Sequence, residues 1–247
     1  MTERQSSDEP ITTAQAQYDE TRSVTAETPC PYLPERSSRS EAYLVDELDG
    51  AMHERLLGLG FRRCGRIVYR PACRQCHECR QLRVPVDTFK PTRSMRRVWR
   101  ANADVGVVIR APVATEQKFA LFKRYLDAQH DDTMDRNYES FERFLYDSPT
   151  DTCEFSFYLG QRLVGVSIAD RFPGGLSSVY MYFDPADAAR SLGTFSILWE
   201  IDYCRRASLA NYYLGFFVAD CTTMSYKSRF RPNEVLAGDD CWAAFRR

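Results

Sequence analysis

Residues 153–183 read CEFSFYLGQRLVGVSIADRFPGGLSSVYMYF. Three apolar, β-branched and aromatic runs, Cys153–Leu159, Arg162–Asp170 and Leu176–Phe183, are separated by Gly160-Gln161 and Pro173-Gly174-Gly175. Short runs of this kind, broken by glycine and proline, are strands joined by turns, so the stretch predicts an antiparallel three-stranded meander. Downstream, helical periodicity from Ser191 to Ala207 predicts a helix, Tyr212–Val218 a further strand, and Thr222–Arg229 a short helix. A meander that leads into a strand–helix–strand crossover makes an α+β fold with a mixed sheet.

Upstream, Thr115 is placed to cap a helix whose Phe119, Phe122 and Leu126 share one face, and 138–146 forms another short helix. Residues 93–103 predict a strongly basic helix. Ile67–Tyr69 and Leu82–Val86 predict short strands around a cysteine-rich loop. From Ser40 to Leu57, Val45, Leu48, Met52 and Leu56 keep helical spacing, with Gly50 a weak point of about 1 kcal/mol and Gly58 and Gly60 as the stop. Residues 1–29 are polar and aperiodic, which predicts a disordered tail. The expected division is tail 1–29, a smaller Cys- and Arg-rich N-terminal lobe 30–104, and a mixed-sheet domain 105–247. The order of elements in that last part matches the acetyltransferase-like (GNAT) fold.

Of the 247 residues 44% are hydrophobic and 13% aromatic, enough for a core and too many for a wholly disordered chain. No apolar run approaches the roughly 18–20 residues of a membrane helix, and the first thirty residues lack the pattern of a signal peptide. Nine cysteines without a secretion signal point to reduced thiols or metal ligands in a cytoplasmic protein.

The net charge of −1 hides a segregation. Residues 1–50 hold eleven acidic side chains against four arginines, whereas residues 61–100 hold twelve basic ones against two acidic. Eleven of those twelve are arginine, whose planar fork suits phosphate, so the expected partner is a polyanion, RNA first.

Three constellations carry chemistry. Cys73, Cys76 and Cys79 recur at a spacing of three and can face one ion, with Cys30 or His77 as the fourth ligand, which makes zinc or an iron–sulfur cluster the candidate cofactor. Tyr180-Met-Tyr182-Phe183-Asp184-Pro185 runs into Arg190-Ser191-Leu192-Gly193, a strand-to-helix turn whose free N–H groups beside Arg190 suit an anion. Tyr212–Phe217 followed by Met224-Ser-Tyr226-Lys227 puts a tyrosine and a lysine at the carboxyl edge of the sheet.

Taken together, Cys30-Pro-Tyr-Leu33, Gly60-Phe61-Arg62-Arg63-Cys64-Gly65, Tyr69-Arg70-Pro71-Ala-Cys73, Phe183-Asp184-Pro185, Tyr213-Leu214-Gly215 and Met224-Ser-Tyr226-Lys227 resemble the aminoacyl-tRNA–protein transferases. The likeness runs from about residue 30 to 242, and in compactness it is to the bacterial branch, the aspartate/glutamate leucyltransferases. The resemblance implies an aminoacyltransferase that takes leucine from leucyl-tRNA and joins it to the N-terminal amine of proteins beginning with Asp or Glu, as a degradation signal in an N-degron pathway. It implies no ATP or coenzyme, because the donor ester is already activated. Eukaryotic relatives bind an iron–sulfur cluster through N-terminal cysteines, and Leu33 stands where their paired motif has one.

On this reading Asp184 is the candidate to receive or orient the attacking ammonium and Tyr180 a proton relay. Arg190, Ser191, Leu192, Gly193, Tyr226, Lys227 and Arg63 are the candidate substrate contacts, with Arg190, Lys227 and Arg63 as cations for the acceptor's acidic side chain. Arg93, Arg96, Arg97 and Arg100 are the candidate tRNA contacts. The alternatives are an arginyl donor, a small-molecule N-acetyltransferase (for which the turn at Arg190–Thr194 lacks a second glycine), and a zinc-stabilised RNA-binding module.

Overall fold

A computed structural model describes residues 22–129 and 135–245. Its N-terminal part contains β1 (Ser23–Val24), β2 (Thr28–Pro29), β3 (Ser37–Ser38), β4 (Ser40–Leu44), α1 (Gly50–Gly58), β5 (Arg62–Cys64), β6 (Ile67–Pro71) and β7 (Arg80–Pro85). Then follow α2 (Arg93–Ala101), β8 (Val105–Arg110), α3 (Glu116–Gln129), α4 (Tyr138–Leu145), β9 (Thr152–Leu159), β10 (Arg162–Phe172) and β11 (Gly175–Phe183). The chain closes with α5 (Leu192–Arg206), β12 (Asn211–Phe217), β13 (Glu234–Gly238) and β14 (Cys241–Ala244).

The expected meander is β9–β10–β11, within an eight-stranded sheet ordered β14-β13-β7-β12-β11-β10-β9-β8. Neighbours are antiparallel except β11 and β12, which are parallel and joined through α5, as a mixed sheet with one crossover requires. Cores fill both faces. Leu82, Phe155, Phe157, Val164, Leu176 and Tyr212 pack under α5 and α2, and Leu163, Val166, Ile168 and Tyr182 pack under α3 and α4. Along β10, Val166 and Ile168 face one core and Ala169 the other, and a register shift at Leu163–Gly165 puts Leu163 on the face of Val166 and Val164 on the opposite one. Thr115 caps α3 as expected, its hydroxyl accepting from Lys118 N at 3.3 Å.

Three expectations change. Ser40–Leu44 is a strand paired with β6, not the start of a helix, and α1 begins at Gly50 under an Asp49 cap that accepts from Met52 N at 2.8 Å. Of the expected tail, residues 1–21 lie outside the described residues, whereas Ser23–Val24 pairs with β4 and Thr28–Pro29 with β3. The division expected at residue 104 does not follow the sheets, because β7 lies between β12 and β13 and α2 packs on α5. No helix among the described residues is long and apolar enough to cross a membrane.

Candidate active site

The parallel pair β11–β12 holds only through Gly175–Asn211, Leu176–Tyr212 and Ser177–Tyr213. Beyond that, β11 continues to Phe183 against β10 and β12 continues to Phe217 against β7, so the two strands splay and leave a wedge between them. Gly215 marks the divergence. Its φ of +83° is left-handed backbone, and a Cβ there would stand 3.0 Å from the Arg62 guanidinium. Arg62 fills the apex, buried, donating to Ser177 Oγ at 2.8 Å and to the Ser178 carbonyl.

Lys227 lies on the β12 side, where its Nζ donates to the Phe216 carbonyl at 2.7 Å. Burial, with Arg62 adding repulsion, pushes its ammonium down to about 7. Lys227 is therefore not the permanent cation expected from sequence. Tyr226 stands beside it on the rim, 39% exposed and within electrostatic reach of Tyr125.

Tyr125 in turn packs on Tyr180 and Phe183, with ring centroids at 6.3 and 5.2 Å, and so belongs to the β11 side. Tyr180 is also packed against Phe122 and Phe144, and burial raises its hydroxyl far above the ordinary tyrosine range. That suits a wall and not the expected proton relay.

Asp184 ends β11 as the cap of a 3-10 turn over Pro185–Arg190. Its Oδ1 accepts from Ala186 N at 3.1 Å, and its Oδ2 lies 3.1 Å from Arg124 and 3.5 Å from Arg162. Arg162 also grips Asp187 at 2.8 and 3.1 Å. A carboxylate with these donors on both oxygens anchors the turn and is badly placed to receive a proton from an amine. Arg124 and Arg162 carry no local motif, so nothing in the sequence singles them out.

The turn delivers the chain to α5 through Ser191 in left-handed backbone at φ 55°, and α5 has no side-chain cap. Its first N–H groups thus take no side-chain cap among the described residues, and Leu192 is itself buried. Arg190 makes two bonds to Asp104, at 2.8 and 2.9 Å, which largely neutralise it. Asn102 bonds the Arg190 carbonyl at 2.9 Å and Trp99 packs on Phe195 at 5.6 Å, so α2 sits directly against the start of α5. Along α2, Arg93, Arg96, Arg97 and Arg100 are exposed and have no carboxylate within ion-pair distance among the described residues.

Most of the remaining basic window is structural. Arg66 pairs with Asp46 and Asp147, Arg70 with Glu41, Arg74 with Glu27 and Arg83 with Glu234. Arg63 is bound within the interior to Asp170, away from the wedge, and is not a substrate contact. The acid-rich segment before residue 50 thus neutralises much of the base-rich segment after it. Asp46 and Glu41 are the partners that sequence spacing could not identify.

Cys30, Cys73, Cys76 and Cys79 line one cavity, but the expected metal site is not assembled there. Among the described residues no group of three His, Cys, Asp or Glu side chains is placed to hold an ion. The sulfurs are otherwise engaged: Leu33 N donates to Cys30 Sγ at 3.4 Å, Arg36 to Cys76 Sγ at 3.2 Å, and the Cys73 thiol to the Arg39 carbonyl at 3.6 Å. Burial, with repulsion from Cys30, Cys76 and Cys73, pushes the Cys79 thiol up to about 12. All nine cysteines are free thiols.

Comparison with known proteins covers most of the chain. The family profile described as "Arginine-tRNA-protein transferase, N terminus" matches residues 28–97, and that described as "Arginine-tRNA-protein transferase, C terminus" matches residues 117–237. The aspartate/glutamate leucyltransferase of Paramagnetospirillum magneticum is 40% identical over 229 residues, 90% of this chain and 92% of its own. That of Hahella chejuensis is 36% identical over 225 residues, 87% of this chain and 94% of its own. Among solved structures, L-PGS from Bacillus licheniformis aligns with 62% of this chain and 56% of its own at 9% identity and a TM-score of 0.48.

Proposed function

The chain belongs to the arginine-tRNA–protein transferase family, and on that premise we propose that it moves leucine from leucyl-tRNA to the N-terminal amine of proteins beginning with Asp or Glu. The observation that carries this reading is the seating of the arginine helix α2 against the uncapped start of α5, at the mouth of the β11–β12 wedge. Phosphates of the tRNA acceptor stem lie along Arg93, Arg96, Arg97 and Arg100, and a terminal phosphate takes the uncapped N–H groups of α5. The aminoacyl ester then enters the wedge.

In the reaction the acceptor nitrogen attacks the ester carbonyl carbon, an amide forms, and the bond to the ribose oxygen breaks, releasing the tRNA hydroxyl with a proton. The amine, with an ordinary pKa of about 7.7–8.0, must first lose its proton. Lys227, pushed to about 7, is matched to accept it. Asp184 serves as a positioning residue through Arg124 and Arg162, and Tyr180 as a wall. Because the ester is activated, positioning supplies much of the acceleration, in favourable cases roughly 7–11 kcal/mol.

A leucyl donor is favoured over an arginyl one by the state of the buried carboxylates. Glu41 is held by Arg22 and Arg70, Glu154 by Lys118, Asp170 by Arg63, Asp184 by Arg124 and Arg162, and Glu200 by Tyr212. A guanidinium entering the interior would find none of these five uncommitted. The test is transfer of labelled leucine from its tRNA to a peptide with N-terminal Asp, run beside labelled arginyl-tRNA. Transfer of leucine supports the reading, and transfer of arginine alone overturns it.

A further inference from the structure

Discrimination of an acidic N-terminus needs a cation with no partner of its own, and Arg63, Arg190 and Lys227 do not meet that need. A cavity of about 490 Å³ at the tip of β12 holds one that does. Its walls are the Cys30–Leu33 segment, Ser37–Glu41, Tyr69–Ala72 and Phe216. Three charged side chains of opposing sign bear on it, Arg39, Arg70 and Glu41.

Arg70 and Glu41 are bound to each other at 2.8 Å, and Glu41 also takes Arg22 at 2.7 Å and the Tyr43 hydroxyl at 2.9 Å. Arg39 is left over. No hydrogen bond or ion pair reaches its guanidinium from the described residues, and its Nε is shut off from solvent. Its backbone is pinned nonetheless, the carbonyl accepting from Ala72 N at 2.7 Å and from the Cys73 thiol at 3.6 Å. Its Nη groups, engaged by no hydrogen bond or ion pair among the described residues, are left for a ligand in the cavity. A carboxylate fits the guanidinium fork in two parallel bonds.

We propose that Arg39 reads the side-chain carboxylate of the acceptor's N-terminal Asp or Glu in this cavity. The inference rests on the transferase reading above and deepens it. Phe216 is shared by the two sites: it is among the residues that line the cavity, and its carbonyl accepts from Lys227 Nζ. An acceptor seated on Arg39 therefore occupies a cavity that shares Phe216 with the Lys227 side. The apolar surfaces of Tyr69 and Phe216 exclude water around the ion pair and strengthen it.

The experiment has a binding arm and a transfer arm, both on the full chain. Fluorescently labelled peptides differing only in N-terminal Asp or Asn are titrated against wild type, Arg39→Gln and Arg39→Lys, and leucine transfer from leucyl-tRNA to the same peptides is then measured. Wild type binds the Asp peptide about 10- to 100-fold more tightly than the Asn peptide, the range expected for a charged hydrogen bond. Arg39→Gln brings the ratio near one, mainly through KM in the transfer arm, and Arg39→Lys keeps part of the preference. Because the ratio compares two peptides on one preparation, a loss of folded protein cancels from it.

A wild-type ratio retained in both variants overturns the assignment, as does a wild-type protein that binds the two peptides equally. A wild type that binds the Asp peptide selectively through Arg39 and yet transfers no leucine overturns the leucyl-transfer reading and leaves the Arg39 site standing.

Discussion

Arg63 and Asp170, 107 residues apart in the chain, meet in two hydrogen bonds, Nε to Oδ2 at 2.8 Å and Nη2 to Oδ1 at 2.6 Å. Both side chains are 1% exposed. Thr152 donates to the same carboxylate at 2.6 Å, and His53 stands 3.9 Å away, burial pushing its imidazole down to about 4 so that it is neutral at ordinary pH. The pair joins the small sheet carrying β5 to the large sheet carrying β10.

Removal of one partner leaves a buried charge alone. Arg63→Ala is expected to lower stability by about 3–5 kcal/mol in urea denaturation. In whatever protein stays folded, the Asp-over-Asn preference of the acceptor is unchanged, because Arg63 does not line the Arg39 cavity.

Glu200 is fully buried under the sheet, its Oε2 accepting from Tyr212 at 2.6 Å. Burial raises its carboxyl from 4.5 to about 7. Between those values the folded protein keeps a proton that the unfolded chain has released, so stability falls as pH rises from about 4.5 through about 7, by on the order of 3 kcal/mol in total. Thermal melts of Glu200→Gln should lack this component, the variant gaining on the wild type toward pH 8.

On α2 the four exposed arginines act as phosphate contacts. Replacing Arg96 and Arg97 by Glu should weaken leucyl-tRNA binding at every salt concentration and lower the slope of log K against log salt by about 2. Filter binding from 50 to 300 mM salt reads both quantities, and an unaltered slope removes α2 from the tRNA interface.

For Lys227 the expected signature is a pH profile. Wild-type kcat/KM rises through about 7 as the side chain loses its proton and again near the amine's own ionisation. Lys227→Met should lose the lower step and roughly 10²- to 10⁴-fold in rate. Its stability moves the other way from Glu200: the folded protein has shed a proton that the unfolded chain holds up to 10.5, so wild type becomes less stable as pH falls from about 10 toward about 7. The variant escapes that loss.

Asp184→Asn keeps a capping oxygen for Ala186 N and loses the charge facing Arg124 and Arg162. A positioning role predicts a raised KM for leucyl-tRNA with a single-turnover rate within about tenfold of wild type. A fall of about 10³-fold or more in that rate would restore Asp184 as the proton acceptor.

Much of the fold was legible in local pattern. Residues 153–183 form three apolar runs between glycine and proline turns, and β9, β10 and β11 all lie within two residues of the expected limits. Ser40–Leu44 was misread because Val45, Leu48 and Met52 fit a helical period. Pairing with β6, which lies more than twenty residues on, outweighed that local preference. β8 and β14 are the edges of the sheet and β13 lies next to one of them; all three are largely half-exposed or exposed, and their neighbours in the sheet define them.

The sequence alone determined the kind of protein: the motifs from Cys30 to Lys227, the meander with its crossover, and a helix studded with Arg93, Arg96, Arg97 and Arg100 are all read from residue type and short spacing. Which charges are available was decided only by tertiary structure. Arg63 and Arg39 are chemically the same side chain, yet one is consumed by Asp170 and the other faces a cavity unpaired among the described residues. A guanidinium's charge belongs to the residue, but its freedom depends on whether folding brings a carboxylate from a distant part of the chain against it.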